Sequence, residues 1–129
     1  MDKILAKTVG FSSDSSKVEV ITNEVLKQSD FTDPKELIAS AWAVCLLGSA
    51  KFVLKQKHLS NNIKSKVEVV TKLSKESKTI YFEVTGNLSI ENMSLEETQV
   101  ILDEAHLRCP VSKLIEANQY VQVKAELYD

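Results

Sequence analysis

The chain has 129 residues, of which 43% are hydrophobic and 26% charged, with a formal net charge of −2. That length fits a single domain over residues 1–129 with a core of its own, and the composition excludes a disordered or fibrous chain. Among the 16 basic residues only Arg108 is an arginine, and they form no cluster of the kind that grips nucleic acid, so no nucleic-acid partner is expected.

In chain order, "KILAKTV" and "KVEVITNEVL" read as two short strands around the turn-rich "FSSDSS". "FTDPKEL" starts a helix: Asp33 caps it, Pro34 suits its first position and Glu36 follows three residues after the cap. With no proline to interrupt it, the helix runs to about Gln56. Ile38, Ala41, Cys45, Gly48 and Phe52 share one face by i, i+3, i+4 spacing, while Leu37, Val44 and Leu47 cover neighbouring directions. A helix apolar nearly all round belongs at the centre of a domain or at a subunit interface. "SKVEVVTKL" and "KTIYFEVTGNLSI" are β-rich and joined by "SKES", a hairpin turn. "MSLEETQVILDEAHLRC" opens on a capping box, Ser94 to Glu97, and Pro110 redirects the helix at Cys109. The proline can itself begin a short helix in "PVSKLIEAN". "YVQVKAELY" alternates and closes the chain as a half-buried strand. The order β-β-α-β-β-α-β predicts an α+β fold, antiparallel strand groups around a long buried central helix.

Two cysteines remain to be explained. The segment "MDKILAKTVG" lacks a signal-peptide core, and the longest uncharged stretch, Leu37–Ala50, has 14 residues, short of a membrane span. A cytoplasmic protein without a membrane partner is the expectation, and structural disulfides are rare there. Free thiols or redox chemistry follow. Neither cysteine sits in a CxxC pair, and His58 and His106 lie far apart, so no metal site is expected.

The contexts of the two cysteines carry a resemblance. "DPKELIASAWAVCLLGSAKFV" resembles the central helix of the OsmC/Ohr family, the osmotically inducible and organic-hydroperoxide-resistance proteins, through Asp33, Pro34 and Cys45. "LDEAHLRCPVSK" is similar to the family's second signature through Ala105, His106, Cys109, Pro110 and Ser112. The separation of the cysteines is like that of the Ohr branch. The resemblance covers residues 34 to 128 well and the first 33 poorly.

Membership would imply an intertwined homodimer with sites at the interface and a thiol-dependent peroxidase of organic hydroperoxides, active in oxidative stress defence. It would make Cys45 the attacking thiolate, oxidised to a sulfenic acid, and Cys109 the thiol that condenses with it into a disulfide. No bound cofactor is implied. The reductant would be an external dithiol, lipoyl groups in the Ohr branch, or a lipoylated protein. The apolar setting of Cys45 suits a greasy hydroperoxide but makes an unassisted thiolate costly. The family supplies an arginine from its N-terminal strands and a glutamate directly after the helix-start proline. This chain has no arginine before Arg108 and has Lys35 after Pro34. Lys35 or Lys7 is the expected substitute, although ten helical residues, about 15 Å of rise, put Lys35 out of reach of Cys45 except across a dimer. Arg108 could attract the Cys109 thiolate but reads rather as a solvated helix-end arginine, and His106 as a proton carrier or a hydrogen-bonded structural residue. Trp42 and Phe52 are candidate pocket walls, with core or dimer packing as the plainer reading. The alternative is a catalytically weak member that binds an apolar small molecule.

Overall fold

A computed structural model describes residues 2–14, 17–24 and 33–129. Val25 and Leu26, at the end of the second expected strand, lie outside the described residues. So does Ser15–Ser16 of the turn-rich stretch before that strand. The rest of that stretch is absorbed into β1 (Lys3–Asp14), which pairs antiparallel with β2 (Lys17–Glu24) through a register shift between Phe11 and Asp14.

The two expected strand groups are one sheet. β1 also pairs antiparallel with β3 (Ile63–Leu73), and β3 with β4 (Ile80–Ile90), the expected hairpin. β5 (Val121–Glu126) differs from the all-antiparallel expectation, because it lies parallel to β4 and gives the order β2-β1-β3-β4-β5. A parallel neighbour demands a crossover of a dozen or more residues. Here α2 (Leu95–Arg108) and α3 (Pro110–Ile115) provide it. The capping box of α2 forms as expected, with the Glu97 N–H donating to Ser94 Oγ at 3.1 Å and the Ser94 N–H to Glu97 Oε1 at 3.1 Å.

The long helix α1 (Pro34–Gln56) keeps the bounds read from the sequence. The Lys35 N–H donates to Asp33 Oδ1 at 3.1 Å, and Pro34 takes the first turn. At the other end His58 adopts φ 59°, the left-handed conformation that often ends a helix and is here taken by a residue other than glycine. By length and composition α1 would cross a membrane. Here its apolar residues serve the core: Ala39, Trp42, Ala43, Leu46, Leu47, Ala50 and Val53 are fully buried. They pack between the inner face of β1 and β3 and the crossover helix α2. The sheet meets them with alternate residues of β3, among them Ile63, Val67 and Val69, as strand periodicity requires.

Close approach is set by small residues. A Cβ at Gly10 of β1 would stand 2.9 Å from the carbonyl oxygen of Ala39 and 3.2 Å from its Cβ. The obstructing atom is backbone in the second turn of a helix, so it cannot swing aside as a side chain could. Gly10→Ala is expected to push α1 off the sheet and cost about 1–3 kcal/mol, read as a lower urea midpoint at unchanged m-value. An unchanged midpoint would show that the helix shifts freely on the strand.

Candidate functional site

The face of α1 that carries Ile38, Ala41, Cys45, Gly48 and Phe52 is turned away from the sheet. Ile38, Cys45 and Gly48 are half-buried, while Ala41 and Phe52 are exposed. A helix apolar all round carries no sequence signal for which face goes inward. Packing decides it, and Cys45 is left at the edge of the core.

The second sulfur arrives from the crossover. Cys109 ends α2 and caps α3 at once: it precedes a proline, takes φ −69° and ψ 118°, and so leaves the helical region. It is fully buried, and its Sγ lies 3.0 Å from Cys45 Sγ, both thiols being free. Sequence reasoning left this meeting open, because the residues are 64 apart.

The first turn of α3 faces both sulfurs. The Ser112 N–H donates to Cys109 Sγ at 3.4 Å, and the Val111 backbone is hydrogen-bonded to Cys45. Burial pushes the Cys45 thiol above its ordinary value of 9.0, and the bond shared with Cys109 pushes it the same way; the Val111 contact opposes both. Ser112 is itself fully buried and accepts a hydrogen bond from Trp42 Nε1 at 2.8 Å. A chain of contacts thus runs from the α1 core through Ser112 to Cys109.

The other expected site residues scatter. Trp42 lines no opening: it is fully buried, with its ring against Gly86 of β4, where a Cβ would come 2.9 Å from Cη2. Its indole is a core and positioning element, which takes the core reading and corrects the pocket-wall one. Phe52 does line the opening, a cleft of about 520 Å³ bordered by Val44, Cys45, Gly48, Ser49, Phe52 and Arg108. Lys35 is not at the sulfurs of its own chain; it is buried at the start of α1, ion-paired with Asp33. Lys7 is on β1, mostly exposed, and 3.4 Å from Glu68 of β3. Arg108, exposed as the sequence reading expects, is the one cation among the described residues bordering the Cys45 cleft. His106 stands with its ring 6.1 Å from that of Trp42, its Nε2 4.0 Å from Glu116, and its buried Nδ1 without a partner.

Among the described residues no three His, Cys, Asp or Glu side chains gather as a metal site. A larger cleft, about 720 Å³, opens elsewhere between Phe11, Ser65, Asn87 and Glu126. It holds no thiol, and its Lys66 and Glu126 are paired at 3.0 Å.

Comparison with known proteins gives the same direction. The family model for OsmC-like proteins matches residues 27–124. The chain is 32% identical over 98 residues to organic hydroperoxide resistance protein OhrB of Bacillus subtilis, covering 74% of this chain and 69% of that one. It is 28% identical over 94 residues to organic hydroperoxide resistance protein-like 2 of Staphylococcus epidermidis; that match covers 71% of this chain and 66% of the relative, slightly under two thirds of its length. In three dimensions it superposes on the crystal structure of Bacillus subtilis OhrB with a TM-score of 0.65 and 19% identity, covering 99% of this chain and 98% of the other. The family model over most of the chain, the identity to OhrB and the shared architecture make this protein a member of the OsmC/Ohr family.

Proposed function

We propose that the protein is a thiol-dependent peroxidase that reduces organic hydroperoxides, with a place in oxidative stress defence. One observation carries the reading: a half-buried thiol, Cys45, opens on a cleft with apolar walls and lies 3.0 Å from a fully buried second thiol. The names of its relatives, organic hydroperoxide resistance proteins, support the substrate class. Val44 and Phe52 suit an alkyl tail better than water or hydrogen peroxide.

In this scheme the Cys45 thiolate attacks the outer oxygen of the hydroperoxide. The O–O bond breaks, the alkoxide leaves as an alcohol after taking a proton, and Cys45 becomes a sulfenic acid. The Cys109 sulfur then attacks Cys45 Sγ and expels hydroxide, which leaves as water. A disulfide links α1 to α3, and an external dithiol, a lipoyl group by family resemblance, reopens it by exchange and is itself oxidised. Each turn converts one hydroperoxide and one dithiol into an alcohol, water and a disulfide. A cytoplasmic setting agrees with two free thiols. A homodimer agrees with the outer strip of α1, where Leu37 and Phe52 are 53% and 48% exposed.

A second reading, a family member that binds an apolar molecule without turning it over, is favoured by the upward shift of the Cys45 thiol, whose hydrogen bonds come from Cys109 and Val111 rather than from a cation. The discriminating experiment is a thiol count and intact mass after one equivalent of cumene hydroperoxide per chain. Rapid loss of both thiols within one chain, with a mass lower by about 2 Da, is the expected result. Two thiols intact after many minutes would leave the binding reading.

A further inference from the structure

A nucleophilic thiol in an apolar wall needs a positive charge near it, and the residues expected to bring one are held elsewhere. Lys35 is paired with Asp33 and Lys7 with Glu68. One guanidinium borders the Cys45 cleft, and it belongs to the residue next to the second cysteine. Arg108 rests its guanidinium 5.1 Å from the centre of the Phe52 ring and donates from Nη2 to Gln56 Oε1 at 3.3 Å. Both contacts are on the exposed strip of α1, two and three turns beyond Cys45, and both are weak ones for an arginine.

The backbone of Arg108 is anchored close to the sulfurs. Its Cα is about 3.8 Å from that of Cys109 across one peptide, and Cys109 Sγ is 3.0 Å from Cys45 Sγ. Arg108 and Cys45 border the same cleft, so the side chain and the thiol face one opening. Nothing else charged competes for that place among the described residues bordering the cleft. On the same helix, His106 turns to Trp42 and Glu116, and Glu104 is 3.4 Å from Lys57.

We propose that Arg108 is the cation of the reaction: it leaves its resting place on Phe52 and Gln56 and swings over Cys45, where its fork of N–H groups holds the thiolate and the peroxide oxygen. The assignment rests on the peroxidase reading for the second of those partners only. A planar guanidinium meets two acceptors at once, which a lysine ammonium in the same place does not.

The test compares full-length wild type with Arg108→Met and Arg108→Lys, each verified as folded by circular dichroism. The rate of carbamidomethylation at Cys45, located by peptide mass, is followed against pH. Burial and Cys109 both raise this thiol, and Arg108→Met is expected to leave that rise unopposed. Wild type should lie at least about one pH unit lower, a tenfold difference in thiolate at neutral pH, with Arg108→Lys between them. Reaction with cumene hydroperoxide should fall at least as steeply. Coincident alkylation midpoints in wild type and Arg108→Met would overturn the assignment, whatever happens to turnover. If wild type ignores the peroxide, the peroxidase reading fails, and the alkylation profiles still decide the role of Arg108.

Discussion

Cys45→Ser is expected to lose turnover of cumene hydroperoxide by at least about 10³-fold, on the order of 4 kcal/mol of transition-state stabilisation. The serine hydroxyl holds its proton far more firmly than a thiol, and a thiolate is the species that attacks. Cys109→Ser should behave differently. Its first encounter with peroxide proceeds, but no partner sulfur remains at 3.0 Å to condense with the product. Cys45 then stops as a sulfenic acid, a gain of about 16 Da, and excess peroxide carries it on to irreversible sulfinic acid. Mass spectrometry of the two variants after one equivalent of peroxide separates these outcomes. Retained turnover in Cys45→Ser, or a sulfenic acid on Cys109 when Cys45 is present, would reverse the roles assigned to the two sulfurs.

The other large effect is expected at Trp42. It is fully buried and packs on Gly86, and its indole N–H is spent on Ser112 at 2.8 Å. Trp42→Ala empties the volume of an indole from the core, a loss of about 3–5 kcal/mol. A domain of this size has only about 5–15 kcal/mol to lose, so this variant should be barely folded. Trp42→Phe is the informative companion. It keeps an aromatic ring over Gly86 but leaves the buried Ser112 hydroxyl without its donor, at about 1–3 kcal/mol. Because the Ser112 backbone N–H also bonds Cys109 Sγ, disulfide closure should slow more than sulfenic acid formation. Urea unfolding gives the stability, and stopped-flow thiol loss gives the two rates. A phenylalanine variant with unaltered stability and closure would mean that Ser112 and the indole do not set the position of Cys109.

The parts legible from residues alone were those governed by local chemistry. Asp33 and Pro34 mark the start of α1, the Ser94–Glu97 box marks α2, and Pro110 ends one helix and begins the next, all at their observed places. What was hidden depended on contacts between distant segments. The inward face of α1 had no marker, because apolar residues surround the helix, so Trp42 was left open between a pocket wall and the core, where it lies. The parallel pairing of β5 follows from the path of the crossover and not from its own alternating pattern. Arg108 was weighed as a cation for a thiolate and set down as solvated; its contacts with Phe52 and Gln56, more than fifty residues back in the chain, were not legible. Lys35 was drawn away by a partner two residues distant, Asp33, a pairing that the sequence "DPK" did contain.

The 64 residues between Cys45 and Cys109 have one more effect, on the unfolded chain. Joining the sulfurs asks little movement of the folded protein, where they already touch. In the random chain it closes a large loop and removes conformations worth about 4 kcal/mol on the chain-entropy relation. That is comparable to the whole margin by which small domains hold their shape. If the pair closes under peroxide as proposed, the melting temperature should report the oxidation state: the reduced chain should melt lower than the oxidised one, and a dithiol should reverse the difference.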